Sequence, residues 1–380
     1  MGRRTLLRKV RARAPAPLPD GRQLVNSTQN REETLFRMAA RAPILAWLFF
    51  ALGLHGAAAQ APEPIRVAWV KAIVAAPLMI AREKGYFRQA GLDVELELAN
   101  GSANLMPMLA TGRLQVLEGG VQGNIFGAIA QGLPIIIAGD RASEPTGHHL
   151  LIRPDLKGVV RGLADLKGRA VAVGAGASIF NYEMDRLLNL AGLSLRDVEL
   201  KTISATQLGA GFRNGAVDAG LAFTPFTYLL TAQGLAVKLL EVDDHLKQAT
   251  GGVTMINTDW AKRRPQDVKG FFLALARGIR DFCQAYHHGS NRGEVEAIMI
   301  RSAVIDDPEL LKQFWGSRKA SGEADAQNIL DVYQWMVRQG HVPGGLTRDR
   351  IVDHSFARAA NTALGPFVIE NAQDRTPGCE

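Results

Sequence analysis

A strand–helix–strand pattern in residues 65–98 constrains this chain more than any other feature of its sequence. Residues 65–70 form an apolar run rich in β-branched side chains, which predicts a buried strand. Apolar residues recur at helical spacing over residues 77–89, Gly91 ends that helix, and residues 92–98 alternate between apolar and polar. Because a crossover helix returns the chain to start a neighbouring parallel strand, this unit predicts an α/β fold.

The segment before this unit has the composition of an export signal. Residues 38–59 combine Arg41, an apolar stretch over residues 43–54 and three final alanines, which suits cleavage by a signal peptidase. The stretch is too short for a comfortable membrane span, so a membrane anchor or buried helix is the less favoured alternative. No cysteine follows it, so we expect a periplasmic protein without a lipid anchor. Residues 1–37 are interpreted as a non-native extension, with translation starting at Met38.

The basic charge of the chain lies in these N-terminal residues. Residues 1–59 hold 10 of the 44 Lys and Arg and 3 of the 37 Asp and Glu, which leaves 34 of each in residues 60–380. The net charge of +7 therefore does not indicate a nucleic-acid partner or a membrane surface.

The rest of the chain predicts two α/β units, one inserted in the other. Strand and helix patterns alternate as far as residue 257, and helical patterns follow, one of them over residues 308–318. The chain crosses between the units near residues 148–152 and 250–257, so strand C-termini and helix N-termini face a central cleft. The predicted divisions are residues 60–147 and 254–370 for lobe 1, with the C-terminal helices, and residues 148–253 for lobe 2.

The two cysteines predict no disulfide. Cys283 lies on the apolar face of a predicted helix and is interpreted as a buried thiol. Cys379 lies in a polar segment, residues 371–380, which is predicted to be a disordered tail. Two such positions define no disulfide framework.

Five segments carry a resemblance to a known family. They are residues 77–94 (PLMIAREKGYFRQAGLDV), 163–173 (LADLKGRAVAV), 214–219 (NGAVDA), 333–340 (YQWMVRQG) and 352–356 (VDHSF). Their order and spacing resemble periplasmic binding proteins for nitrate, taurine and alkanesulfonates, a family with relatives that bind pyrimidine thiamine precursors. The resemblance implies the type II binding-protein fold, in which two lobes close on a ligand by a hinge. It also implies a monomeric solute receptor that delivers a small molecule to the membrane permease of an ATP-driven importer (an ABC transporter).

Helix N-termini at the cleft are the first candidates for ligand contact. Their unpaired N–H groups and partial positive charge suit anionic solutes such as sulfonate, nitrate or a carboxylate. Simple helix capping is the alternative role for these polar side chains. By the resemblance, the segments with Gln122 and Ser178 match positions of ligand contact. The candidates at these termini are Gln122, Asn124, Ser178, Asn181, Ser102 and Asn104.

Strand ends supply the other candidates. Trp69 and Lys71 end the first strand, where they could stack on a ligand and pair with its anionic group. Phe223, Thr224 and Phe226 end a strand of lobe 2 and would form an aromatic wall with a hydroxyl donor. Core packing of Trp69 and of one phenylalanine is the alternative.

Two charged positions complete the candidates. Glu118 stands at a predicted strand end, where a carboxylate facing the cleft would disfavour a purely anionic ligand and favour an amino-bearing or neutral heterocycle. Arg141, next to Asp140, is either a ligand clamp or part of an exposed pair, and the exposed pair is favoured.

Enzyme motifs are weak in this sequence. No HExxH, P-loop or GxSxG occurs, and neighbouring His148 and His149 point to opposite faces of a strand, so they cannot chelate one metal. We therefore predict a binding protein with no catalytic residues, metal or cofactor. The alternatives are a binder of a pyrimidine or other neutral heterocycle, or an enzyme on the same fold acting on a pyrimidine or sulfinate.

Overall fold

The computed structural model describes most of the chain beyond residue 62. The described residues are 63–99, 103–143, 146–174, 177–246, 250–305, 307–312, 314–371, 373–374 and 376–379. The predicted extension and export signal, and Ser102, lie outside them.

The first sheet has five strands in the order β2-β1-β3-β10-β4. Strands β1 and β2 pair in parallel, as the opening pattern predicts, whereas β10 runs antiparallel between β3 and β4. All of β10 pairs in this sheet, including residues 250–253, which the sequence analysis assigned to lobe 2. The bounds are β1 (Ile65–Val70), β2 (Val94–Ala99), β3 (Val116–Gly120), β4 (Ile135–Ser143) and β10 (Thr250–Asn257).

The second sheet also has five strands, in the order β7-β6-β8-β5-β9. Strands β6, β7 and β8 are mutually parallel along the sheet, and β5 runs antiparallel to both of its neighbours. The bounds are β5 (His148–Ile152), β6 (Ala170–Val173), β7 (Glu199–Thr202), β8 (Ala219–Phe223) and β9 (Val237–Glu241). Since the chain builds this sheet between β4 and β10, the second α/β unit is inserted in the first.

Thirteen α-helices occur in the described residues. Their bounds are α1 (Ala76–Glu83), α2 (Tyr86–Gln89), α3 (Met106–Ala110), α4 (Gly123–Ala130), α5 (Ile179–Leu190), α6 (Leu208–Arg213), α7 (Phe226–Ala232), α8 (Thr258–Arg263), α9 (Pro265–Tyr286), α10 (Arg292–Arg301), α11 (Ala326–Arg338), α12 (Arg348–Ile351) and α13 (Ser355–Leu364). Within the described part of the chain, none of them is both long and apolar enough to cross a membrane.

Two helix predictions were wrong. The helix predicted over residues 77–89 is two helices, because Gly85 adopts a left-handed conformation (φ 72°) between α1 and α2. The helix predicted over residues 308–318 is a short 3₁₀ turn, Pro308–Lys312, and residues 314–318 form a loop.

The first sheet lies between two apolar layers. One face of β1, with Ile65, Val67 and Trp69, packs in a buried cluster with α1 and α9. The opposite face, with Ala68, belongs to a cluster that includes α4 and α11. This alternation follows from the two-residue repeat of a strand, and helices on both faces are typical of a largely parallel sheet.

The prediction for the C-terminal tail was wrong in its described residues. Cys379 forms a disulfide with Cys283, and both residues are buried. The sequence could not indicate this pairing, because the two cysteines lie 96 positions apart and only the folded chain brings the tail onto α9.

Candidate functional site

The carboxyl ends of parallel strands from both sheets meet at one seam. Strands β1, β3 and β4 of the first sheet and β6 and β8 of the second end on this side. Residues 121–123, after β3, contact residues 177–179, at the start of α5. The N–H of Gly123 donates to the Ala177 carbonyl (2.7 Å), and the N–H of Ile179 donates to the Val121 carbonyl (3.0 Å). The seam therefore joins two helix N-termini, since α4 begins at Gly123 and α5 at Ile179.

The polar side chains predicted at these termini lie at the seam. Gln122 and Ser178 form a β-bridge with each other. The hydroxyl of Ser178 donates to Asn181 Oδ1 (2.6 Å), and Asn181 also accepts the N–H of Ser178 (3.3 Å), which completes a capping box. Both side chains therefore serve as a helix cap here, the alternative role named above. Asn124 is half-buried in the first turn of α4, and Asn104 is exposed.

An aromatic cluster lines the second sheet's side of the seam. Phe223, at the end of β8, stacks on Phe180 with ring centroids 5.9 Å apart, and Phe226 meets Phe223 edge-on at 5.1 Å. Both predicted phenylalanines keep partial exposure, whereas Thr224 between them is buried. The His148 ring lies 5.0 Å from Phe180, so an imidazole joins the cluster.

A buried ion pair underlies this cluster. His148 Nδ1 lies 2.9 Å from each carboxylate oxygen of Glu183. Burial alone lowers the pKa of His148, but the Glu183 carboxylate outweighs it, and the net pKa is raised. A Cβ on Gly251 would lie only 3.3 Å from His148 Nε2, so the imidazole reaches from β5 to β10 of the first sheet.

Glu183 was not among the residues predicted for this site. The sequence did contain an indication of its role. A carboxylate stands on the apolar face of α5, four residues from the buried Ile179 and four residues from the buried Leu187. A charged residue in such a stripe needs a buried partner.

Glu118 corrects another expectation, because it does not stand at the end of its strand. It is the third residue of β3, its side chain has no exposure, and Arg141 Nε (3.7 Å) and Arg318 Nη1 (3.6 Å) flank it. Thr254 donates its hydroxyl to the same carboxylate (3.0 Å). The negative charge is therefore compensated inside the core, and it no longer argues against an anionic ligand.

Arg141 and Asp140 are also buried, so the favoured exposed pair was wrong. Arg141 lies within β4 and donates from Nη2 to the Val70 carbonyl (2.6 Å) at the end of β1. Burial lowers the pKa of Arg141 to about 10, and the side chain remains a cation at neutral pH. Burial raises the pKa of Asp140 to about 6 despite the nearby Arg318.

The two candidates at the end of β1, Trp69 and Lys71, lie in different environments. Trp69 is 5% exposed and packs in the core, which was its alternative role. Lys71 is half-buried just beyond the strand. In the described residues, no group of three His, Cys, Asp or Glu side chains is arranged to hold a metal ion.

Comparison with known proteins decides the family. The sequence model described as NMT1/THI5 like matches residues 73–285, more than half of the chain. The chain belongs to the NMT1/THI5-like family. This NMT1/THI5-like protein is 31% identical over 147 residues to a Haemophilus influenzae protein named for thiamine biosynthesis, covering 38% of this chain and 44% of that one. It is 24% identical over 220 residues to an aliphatic sulfonates-binding protein of Escherichia coli, covering 58% and 67%.

Solved structures confirm the binding-protein fold for this NMT1/THI5-like chain. The periplasmic nitrate-binding protein NrtA from Synechocystis superposes with a TM-score of 0.65 at 17% identity, covering 84% of this chain and 93% of that one. The desulfurization enzyme DSZB shares the fold as well, with a TM-score of 0.57 at 17% identity, covering 79% and 100%. The chain thus spans less than half of the thiamine-biosynthesis relative and has the fold of binding proteins and of at least one enzyme.

Proposed function

We propose that this NMT1/THI5-like protein is a monomeric extracytoplasmic receptor that delivers a small solute to an ATP-driven importer. The opposed N-termini of α4 and α5 at the seam carry this proposal, since residues 121–123 and 177–179 come from different lobes. A solute between them would replace the seam contacts and be enclosed as the lobes close. The likeness to sulfonate- and nitrate-binding proteins supports this function.

A small organic anion is the first candidate solute. Opening of the seam frees the N–H groups of Gly123 and Ile179, which point along helix axes and favour negative charge. The Ser178 hydroxyl lies next to them and would add a donor once it turns from Asn181 to the solute. Lys71 lies at this edge just beyond β1, whereas the charges of Arg141 and His148 are paired with Glu118 and Glu183.

A planar neutral heterocycle, such as a pyrimidine, is the second candidate. The stacked Phe180 and Phe223, with Phe226 edge-on, offer aromatic faces to a flat ring. The relative named for thiamine biosynthesis supports this class. The predicted contacts at Gln122, Asn124, Ser178, Asn181, Phe223, Thr224, Phe226 and Lys71 remain part of the proposal, whereas Trp69 would frame the cleft.

The disulfide supports export to the periplasm. Disulfides form and persist in oxidising compartments and are rare in the reducing cytosol. The Cys283–Cys379 bond therefore agrees with a cleaved signal in residues 38–59, and a membrane permease is the expected partner.

A thermal-shift screen of the purified protein tests the function. Sulfonates, nitrate, bicarbonate, aromatic carboxylates and pyrimidines are each added, and any stabilising compound is recovered and analysed. A ligand at about 100 times its Kd adds about 2.7 kcal/mol of stability, which raises Tm by roughly 5 °C. An unchanged ligand supports a receptor, and its class chooses between the two candidates. Conversion to product, or no shift with any class, contradicts the proposal.

Two serine caps provide a matched pair of variants. Ser178 and Ser194 both cap short helical starts through capping boxes, but only Ser178 lies at the seam. Each Ser→Ala change costs about 1 kcal/mol of stability through the lost cap. We expect Ser178→Ala to reduce the ligand-induced shift and Ser194→Ala to preserve it. Equal ligand shifts in both variants would remove Ser178 from the site.

A further inference from the structure

The C-terminal tail is joined covalently to the long helix α9. The disulfide between Cys283, in α9, and Cys379 closes a loop of 96 residues, and both cysteines are buried. Neighbouring tail residues are held as well. The Tyr286 hydroxyl donates to the Pro377 carbonyl (2.6 Å), and His287 Nε2 lies 3.0 Å from the Gly378 carbonyl.

The tail meets the loop of residues 314–318. The N–H of Cys379 donates to Ser317 Oγ (3.0 Å), next to the disulfide. The Ser317 carbonyl in turn accepts the N–H of Ser143 (3.1 Å), the last residue of β4. One residue of this loop thus connects the disulfide with the strand from which the chain leaves the first sheet.

The same loop braces the crossover from β4 to β5. The Phe314 ring packs against Gly147 so closely that a Cβ there would lie 2.1 Å from the ring. The last residue of the loop and the chain just after it also hold β4, because Arg318 hydrogen-bonds the Asp140 carbonyl and Asp140 donates its N–H to the Gly322 carbonyl (2.8 Å). The residues on both sides of the crossover, Ser143 and Gly147, therefore contact the loop that the disulfide holds.

The segment through which the chain returns to the first sheet contacts the same crossover. Asp243 follows β9, where the chain begins its way back to the first sheet, and its carboxylate accepts the N–H groups of Thr146 (2.9 Å) and Gly147 (3.1 Å). Gly147 is thus held by Asp243 on one side and by Phe314 on the other. A few residues at such a crossover absorb the dihedral changes of lobe closure.

We propose that the tail, closed on α9 by Cys283–Cys379, is a strap that fixes the crossover and so limits how far the lobes open. This inference rests on the proposed receptor function for its meaning, although its test requires no ligand. The bond forms when a disulfide-containing oxidant accepts two electrons and two protons from the cysteine thiols and becomes a dithiol itself. A chain folded in a reducing compartment lacks the strap and acquires it after export.

Hydrogen exchange of single amides in the ligand-free protein tests the strap. In a Cys283→Ser/Cys379→Ser variant, we expect the amides of Asp140 and Ser143 to exchange about tenfold faster, because their acceptors, Gly322 and Ser317, lie just after and within the loop that the disulfide holds. The amide of Gln115, which donates to the Arg66 carbonyl (3.0 Å) elsewhere in the same sheet, is the control and should keep its rate.

Ser317→Ala is the second variant, because it keeps the disulfide and removes only the acceptor of the Cys379 N–H. We expect it to accelerate exchange at Ser143 by roughly fivefold, the effect of one lost hydrogen bond. Unchanged rates at Asp140 and Ser143 in both variants would overturn the strap. Equal acceleration at Gln115 would overturn it as well, since the disulfide would then stabilise the whole protein and not the crossover.

Discussion

The buried carboxylate of Glu118 provides a sharp test of how the first sheet is held together. Glu118→Gln keeps the shape of the side chain and an oxygen that can accept the Thr254 hydroxyl, but it removes the negative charge between Arg141 and Arg318. Two buried guanidinium groups are then left with Asp140 as the nearby carboxylate and lose the one that lies between them. Breaking a buried ion pair by removing one partner costs about 3–5 kcal/mol, because an uncompensated charge remains in the interior.

A surface pair on the same sheet is the matched control. Arg66 and Glu95 lie 3.2 Å apart, closer than either contact of Glu118, but their side chains are 43% and 51% exposed. Solvent screens such a pair, so Glu95→Gln should cost less than about 1 kcal/mol. The two variants thus separate the effect of burial from the effect of distance.

Urea unfolding at pH 7 measures both free energies. A stable domain unfolds with about 5–15 kcal/mol, so Glu118→Gln should remain folded but show a much lower midpoint at an unchanged slope. A loss below about 1 kcal/mol for Glu118→Gln, or a loss equal to that of Glu95→Gln, would refute the argument that this core depends on a compensated charge cluster.

Two further predictions follow from the same core. Asp140 holds a proton in the folded state up to a pKa of about 6, well above the usual range of an aspartate, so stability should fall by about 2 kcal/mol as pH rises from 4 to 6. Asp140→Asn should remove this part of the pH dependence, and free energies of unfolding measured across that pH range would show the change. Gly278→Ala should cost about 2 kcal/mol or more, because its Cβ would lie 2.3 Å from the Pro77 carbonyl oxygen. Gly127→Ala, in a helix with open space, should instead gain up to about 1 kcal/mol, and equal Tm changes would contradict the packing argument.

The sequence predicted those parts of the fold that depend on local periodicity. The strand–helix–strand start and the inserted second unit could be predicted because a strand alternates with period two and a helix with period 3.6. The helix predicted through Arg318 failed because tertiary contacts prevailed over local pattern. The Arg318 side chain turns into the core and binds the Val74 and Asp140 carbonyls, which the loop geometry permits.

The candidate site was predictable in position but not in chemistry. Ser178 and Gln122 were placed at helix starts by their sequence context, and they do meet at the seam. The partners of His148 and Glu118 lie 35 and 200 residues away along the chain, so no local pattern could pair them. Long-range charge compensation becomes visible only when the fold brings the partners together.

The position of β10 between β3 and β4 determines when the first sheet can be completed. Strand β4 has β10 as its neighbour in the sheet and otherwise forms its edge. During synthesis or translocation, residues 65–143 therefore emerge long before the strand that joins β3 to β4. Throughout that interval the inserted second unit, residues 148–241, emerges and can complete its own sheet. The first sheet is therefore completed late, only once residues 250–257 have emerged, and β4 lacks its neighbouring strand until then.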